Sequence, residues 1–338
     1  MKRRRALALG GAAIAALPAH AQNFDSQPFK SRNLRFPGAG GIELAGTLVL
    51  PMSSELQKVP GVVLIAGSGP TDRDGNNPLI PVRIDLLKQI AELLAGVGIA
   101  SIRYDKRGIG QSTKAPARLA DQELFFAWEN FIGDVQLAHA ELVKQDEVKG
   151  YATALLGHSE GGLFAIAAAE ATAPVRAPYA LVLAGTPGRP LQDIIRNQLT
   201  RNAPHLVAAG ERIIEAIRRT KRVPSDVPTE LADVFPPYIG PFLHGELAFD
   251  PAKALIPLKQ PCLLLHGGAD RQVVPMDEIQ PLIDALGQRV APAEAIVVPQ
   301  VSHNLKPVSS PTDPGYEGPI ATAVADNLRG WLISTLGA

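Results

Sequence analysis

Short apolar runs alternate with amphipathic stretches of helical period along most of this chain. Asn33 to Phe36 and Ile42 to Leu50 read as two strands, with Gly38-Ala39-Gly40-Gly41 between them as a hairpin turn. Val62-Val63-Leu64-Ile65, bounded by glycines, predicts a third strand, and a helical pattern follows from about Val82 to Ala95. Ile99 to Tyr104 is the next strand pattern, and one long amphipathic helix is expected over roughly Gln122 to Lys144. Thr153 to Leu156 runs as a strand towards an alanine-rich helix from Ser159 to Ala171, and Tyr179 to Leu183 is another strand. A strand at Cys262 to Leu265, a helix around Asp277 to Leu286, a strand at Ala295 to Val298 and a helix from Ile320 to Leu336 complete the series.

Strands that are apolar throughout, interleaved with helices, indicate an α/β protein whose mostly parallel sheet is covered on both faces. The stretch 187–257 breaks this rhythm. It holds helical patterns at Leu191 to Gln198 and Ala208 to Thr220, then Pro224, Pro228, Pro236, Pro237 and Pro241, and no apolar strand run. An insertion of this length between two strands is expected to form a small helical cap rather than a structureless loop.

The first residues form a separate unit. Lys2-Arg3-Arg4-Arg5 is a positive start, Ala6 to Leu17 an apolar run, and Ala19-His20-Ala21 a small-x-small site before Gln22. Together they predict a cleavable secretory signal peptide over 1–21, leaving one domain at 22–338 with the cap at about 187–257. The apolar run falls short of the roughly 20 residues that a membrane-spanning helix requires. A secreted or periplasmic location with no membrane attachment after cleavage is therefore expected, and the export route stays open.

Composition changes this picture little. Of 338 residues, 46% are hydrophobic and 20% charged, an ordinary globular balance. Lys+Arg and Asp+Glu both number 33, so zero net charge and the lack of a basic stripe remove the electrostatic case for nucleic acid. Cys262 is the single cysteine, which excludes an intramolecular disulfide. Its setting, Pro261-Cys262-Leu263-Leu264-Leu265, points to an inert core thiol rather than a nucleophile.

The candidate chemistry centres on Gly157-His158-Ser159-Glu160-Gly161. A strand runs into this pentapeptide and a helix runs out of it, so Ser159 is expected on a sharp strand-to-helix turn that needs small neighbours. The helix N-terminus then faces the serine and favours the negative charge of acyl transfer. A serine hydroxyl needs a histidine base, and that histidine needs an orienting carboxylate, in the chain order serine, acid, histidine on such a scaffold. His303, in the loop just past the last strand, is the candidate base. His266 is expected to be a satisfied turn residue, and His139, His158, His205 and His244 fall too early or in the cap.

Asp270 follows the strand Leu263-Leu264-Leu265 and is the candidate acid, with Asp250 after the cap as its competitor. The oxyanion hole is expected from two backbone N–H groups, that of Glu160 and that of Ser68 in the glycine loop after Ile65. Two further motifs carry no cofactor or metal. Asp72-Arg73-Asp74-Gly75-Asn76 has its glycine too early for a calcium loop and Arg83 where the closing carboxylate belongs, and Gly67-x-Gly69 runs into Pro70 without a third glycine.

With these residues in place, the chain resembles the α/β-hydrolase superfamily over nearly all of 22–338. It is especially similar to its bacterial esterase, serine aminopeptidase-like and dienelactone hydrolase-like members. Gly67-Ser68-Gly69-Pro70-Thr71-Asp72-Arg73-Asp74-Gly75-Asn76 resembles a loop of one esterase subgroup. Tyr104-Asp105-Lys106-Arg107-Gly108-Ile109-Gly110-Gln111-Ser112 resembles the D-x-R-G-x-G-x-S segment that helps hold the active-site loops. The resemblance implies a triad of Ser159, Asp270 and His303, a small-molecule ester substrate and no cofactor. Ala66 stands where the family usually has a histidine before the oxyanion glycine.

A carboxylesterase acting through an acyl-enzyme on short- to medium-chain esters is the leading expectation. A serine aminopeptidase, or another amide or thioester hydrolase, is the alternative. It would need carboxylates such as Glu160, Glu230, Asp233 or Glu246 around a substrate ammonium, whereas these acids are expected on the solvated surface. A non-catalytic binding protein on a hydrolase scaffold is the third reading.

Overall fold

A computed structural model describes residues 29–170 and 176–338, and the signal peptide expected over 1–21 lies outside them. The elements follow in the order β1 (Phe29–Pro37), β2 (Glu43–Pro51), β3 (Val59–Ile65), α1 (Leu86–Ala95), β4 (Ala100–Tyr104), α2 (Leu119–Phe125), α3 (Trp128–Val143), β5 (Val148–His158), α4 (Glu160–Glu170) and β6 (Ala180–Ala184). The second part holds α5 (Leu191–Asn202), α6 (Val207–Thr220), α7 (Gly240–Ala248), α8 (Pro251–Leu255), β7 (Cys262–Gly267), α9 (Gln280–Gly287), β8 (Ala293–Val298) and α10 (Thr322–Leu336).

The strands form one eight-stranded sheet in the order β1-β2-β4-β3-β5-β6-β7-β8. β2 runs antiparallel to β1 and β4, and every other neighbouring pair is parallel. β3, β6 and β7 are buried at every residue, which is why they read as continuous rather than alternating apolar runs. Side chains still alternate between the faces. Val63, Leu155, Leu183 and Leu264 pack with α3, α4 and α9, whereas Leu64, Leu156, Val182 and Leu265 pack with α1 and α10. Helices α5 to α8 occupy the stretch 187–257, and Ile213 and Ile217 of α6 and Phe242 of α7 join the first of these two cores.

Three helices differ from the expected ones, each because a side chain or a proline intercepts the backbone. Nothing helical occupies 82–85: Asn76 Oδ1 accepts the N–H groups of Ile84 and Asp85, and Asp85 is left-handed with φ 51°. The long helix over Gln122 to Lys144 is two helices that break at Phe126 and Ala127. Arg107 donates to the carbonyls of Phe125 (2.7 Å) and Asn130 (3.3 Å), and Asn130 Nδ2 donates to that of Leu124 (2.7 Å), so side chains take the last carbonyls of α2. The helix around Asp277 begins instead as a wide turn over Pro275–Ile279 before α9, because Pro281 near its start has no N–H to continue the ladder.

Arg107 and Asp134 form the central ion pair of this half of the molecule. Both side chains are 1% exposed, and the guanidinium meets the carboxylate at both oxygens, 2.9 and 2.8 Å. Asp134 also accepts the Ala39 N–H at 2.8 Å, and the guanidinium lies over the rings of Phe125 and Phe131 at 5.2 and 5.6 Å. The pair thus joins the end of β4, the β1–β2 turn and α3. Removing one partner strands a buried charge, so Asp134→Ala should cost about 3–5 kcal/mol of stability in urea unfolding. A loss below roughly 1 kcal/mol, the scale of a surface pair, would refute this account.

Candidate active site

The turn between β5 and α4 holds Ser159 at φ 56°, a left-handed conformation unusual for a residue with a side chain. Its N–H donates to the Ala184 carbonyl on the neighbouring strand at 2.8 Å, and its own carbonyl accepts the Gly162 N–H at 2.9 Å. Backbone crowding enforces the flanking glycines. A Cβ on Gly157 would lie 2.1 Å from the Gly161 carbonyl oxygen, and one on Gly161 would lie 2.4 Å from that of Ile65. Ser159 therefore stands at the C-terminal edge of the sheet, where ligands of open α/β sheets bind.

His303 and Asp270 meet there. His303 Nδ1 lies 2.7 Å from Asp270 Oδ2, both residues being buried. The other carboxylate oxygen accepts the N–H groups of Gln272 (2.8 Å) and Val273 (2.9 Å), so Asp270 is fixed from both sides. Burial alone would raise its carboxyl, but hydrogen bonds from His266 and His303 outweigh this and hold it well below the usual range. Ser159 and His303 line one cleft with Ser68, His158 and Gln272, and Ala66, Ile80, Ile84 and Leu87 give it an apolar side. Asp250, the competing acid, instead caps α8 by accepting the Lys253 N–H at 3.1 Å.

Two more histidines brace this group. His158 Nε2 donates to the His303 carbonyl at 2.8 Å, tying the serine turn to the histidine loop. Burial, reinforced by the nearby His303 imidazole, lowers the His158 pKa to about 3. His266 is not a satisfied turn residue. It lies within β7, fully buried, with Nε2 donating to the Val273 carbonyl at 2.8 Å and standing 3.3 Å from Asp270 Oδ2, while Nδ1 has no partner among the described residues. The aspartate it supports was visible in the strand-loop pattern, but the support comes from the way the loop after β7 folds back on His266, four residues before Asp270.

Ser68 is exposed on the cleft, and neither its N–H nor that of Glu160 meets an acceptor among the described residues. The acids expected on the surface divide. Glu230 and Asp233 are exposed, but the Glu160 side chain is only 16% exposed and Glu246 is buried. Burial, with Glu160 nearby, pushes the Glu246 carboxyl well above its ordinary range. Cys262 is buried in β7, as expected of a core thiol, and desolvation raises it to about 11. Among the described residues no group of three or more His, Cys, Asp and Glu is arranged to hold a metal ion, and no helix is long and apolar enough to cross a membrane.

A strained serine at the sheet edge, backed by a buried histidine–aspartate pair, is the geometry of a hydrolase. The model of the alpha/beta hydrolase family matches residues 62–314. The chain belongs to that family. It is 25% identical over 313 residues to Esterase EstD of Thermotoga maritima, spanning 91% of this chain and 69% of that protein. Among solved structures it is similar to Est1E of Butyrivibrio proteoclasticus bound to ferulic acid, with TM-score 0.58, 16% identity and coverage of 90% of this chain and 100% of that one. Dienelactone hydrolase of Anabaena variabilis shares the fold at TM-score 0.51 and 18% identity, over 91% of this chain and 98% of the other.

The buried imidazoles make stability depend on pH. His158 at about 3 and His139, lowered by burial to about 4, are neutral when folded but take up protons near the ordinary 6.5 when unfolded. The unfolded state therefore binds more protons below pH 6.5, and stability falls as pH drops from there towards 4. Urea midpoints should decline over this window with a slope of up to about 1.4 kcal/mol per pH unit for each histidine. His139→Gln should flatten the slope, and a stability independent of pH between 7 and 5 would contradict the assignment.

Proposed function

We propose that this α/β hydrolase is a serine carboxylesterase that cleaves short- to medium-chain acyl esters. The observation that carries the reading is the 2.7 Å contact between His303 Nδ1 and Asp270, with His303 and Ser159 on the same cleft. In this mechanism Asp270 stays ionised and fixes the tautomer that carries its proton on Nδ1, leaving Nε2 free to accept the Ser159 proton. The serine oxygen attacks the ester carbonyl, and the oxyanion forms against the N–H groups of Ser68 and Glu160. His303 then returns the proton to the leaving alcohol. Water, deprotonated by the same histidine, attacks the acyl-enzyme, and the acid product leaves as Ser159 regains its proton.

The apolar side of the cleft, from Ile80, Ile84 and Leu87, suits an acyl chain. The names of Esterase EstD and Est1E agree with this reading. The inward position of Glu160 and Glu246 favours a second reading, an aminopeptidase that holds a substrate ammonium. Glu246 does not line the cleft that holds Ser159, and the Glu160 carboxylate already has Lys106 as its partner, so the esterase is the better fit.

Ser159→Ala should abolish hydrolysis of p-nitrophenyl acetate and butyrate, and full retained activity would sink the proposal. Asp270→Asn should lower kcat by about 10⁴-fold by releasing the wrong histidine tautomer. A parallel panel of acyl esters and aminoacyl-anilides should show turnover of the esters. Turnover of the anilides alone would reverse the order of the two readings.

A further inference from the structure

Lys106 is a lysine with almost no access to water: its side chain is 5% exposed at the C-terminal end of β4. Burying an ammonium costs several kcal/mol unless it is compensated, so its partners identify what it does. They are two. Its Nζ donates to the carbonyl of Gly67, and it stands 4.0 Å from the Glu160 carboxylate. These are the residue on one side of the Ser68 N–H and the residue that carries the other candidate oxyanion N–H.

The first contact has a geometric consequence. The Gly67–Ser68 peptide is trans, so the Gly67 C=O and the Ser68 N–H lie in one plane and point in opposite directions. A donor that fixes the carbonyl on one side fixes the N–H on the other. This peptide is at the nucleophile, since a Cβ built on Gly67 would lie 3.1 Å from the Ser159 Cβ. No other hydrogen bond from the described residues reaches the Gly67 carbonyl or the Ser68 N–H.

We propose that Lys106 is a positioning residue for the oxyanion hole: its buried ammonium holds the Gly67 carbonyl and so aims the Ser68 N–H at the oxygen of an ester carbonyl on Ser159. The inference rests on the reading of Ser159 as nucleophile. Lys106 does not line the cleft, and the Glu160 carboxylate 4.0 Å away is the partner of its charge.

A positioning role of this kind acts on the transition state and not on substrate binding, which a general loosening of the fold would also disturb. Lys106→Met should lower kcat on p-nitrophenyl butyrate roughly 10²-fold, the effect of losing one oxyanion donor. KM should stay within about twofold. The inhibition constant of an alkyl trifluoromethyl ketone, whose adduct with the serine carries an oxyanion, should rise in proportion to the kcat loss. Because Lys106→Met leaves Glu160 without its partner, the double variant Lys106→Met/Glu160→Gln is measured beside it and should show the same loss.

Restoration of near wild-type kcat in the double variant would assign the defect to the stranded carboxylate and overturn the proposal. So would unchanged kcat and inhibition constant in Lys106→Met, or a rise in KM that accounts for the whole loss. Labelling of Ser159 by a fluorophosphonate, together with an inactive Ser159→Ala, tests the underlying reading separately. If that pair fails, the esterase reading falls; if it holds while Lys106→Met behaves as wild type, only the role of Lys106 falls.

Discussion

Three consecutive charged residues at the end of β4 hold this active-site scaffold together, and each buries its charge in a different direction. Asp105 accepts the Arg73 N–H at 2.9 Å and meets its guanidinium at 2.7 Å, pinning the loop after β3. Lys106 reaches the Gly67 carbonyl of the same loop nearer the serine, and Arg107 pairs with Asp134 on α3. A buried charge is expensive alone and tolerable only with a partner in good geometry. Asp105 and Lys106 therefore fix two points of one loop, and Arg107 fixes α3. Ser112 closes the strap, donating to the Asp105 carbonyl at 2.7 Å and accepting the Ala45 N–H at 2.9 Å, so that β2 is tied in as well.

The serine turn is rigid for a different reason. Its neighbours approach backbone to backbone, with Gly157 against Gly161 and Gly161 against Ile65, and only hydrogen fits in place of a side chain. The strand β3 that Gly161 touches is also the strand whose following loop carries Gly67 and Ser68. The serine turn and the loop that carries Gly67 and Ser68 are thus set against each other by sterics, while Asp105 and Lys106 hold that loop through charged contacts. Histidines complete the enclosure: His158 reaches from the turn to the His303 carbonyl, and His266 backs the aspartate that orients the His303 ring.

Much of this was legible in the sequence, and the limits have a physical pattern. Strands buried on both faces announce themselves as apolar runs, and Ser159, Asp270 and His303 stand out because each follows a strand in the expected order. What failed was local periodicity under capture from a distance. Asn76 diverts the N–H groups that would have begun α1 at 82, and Arg107 holds the carbonyl of Phe125 where α2 and α3 part. Neither partner lies within the helix it shortens. Burial of polar residues was less visible: Asp105-Lys106-Arg107 stood out only through its resemblance to a segment that helps hold active-site loops, and Glu246 was expected on the solvated surface until the fold enclosed it.

Glu160 shows why that enclosure matters for the chemistry. An acid at the first position of α4 complements the helix dipole, but it also places a carboxylate next to the site where the proposed reaction builds an oxyanion. Like charges close together in a poorly solvated site repel, which works against an oxyanion hole. The structure removes the conflict in two ways. Burial raises the Glu160 carboxyl and so weakens its charge, while Lys106 offsets what charge remains. Glu246 raises the same question one layer further out, and burial beside Glu160 pushes it towards the neutral acid. Under the proposed mechanism a helix N-terminus that holds a carboxylate suits anion stabilisation only when that carboxylate is paired or protonated, and Lys106 pairs with it while also donating to the Gly67 carbonyl.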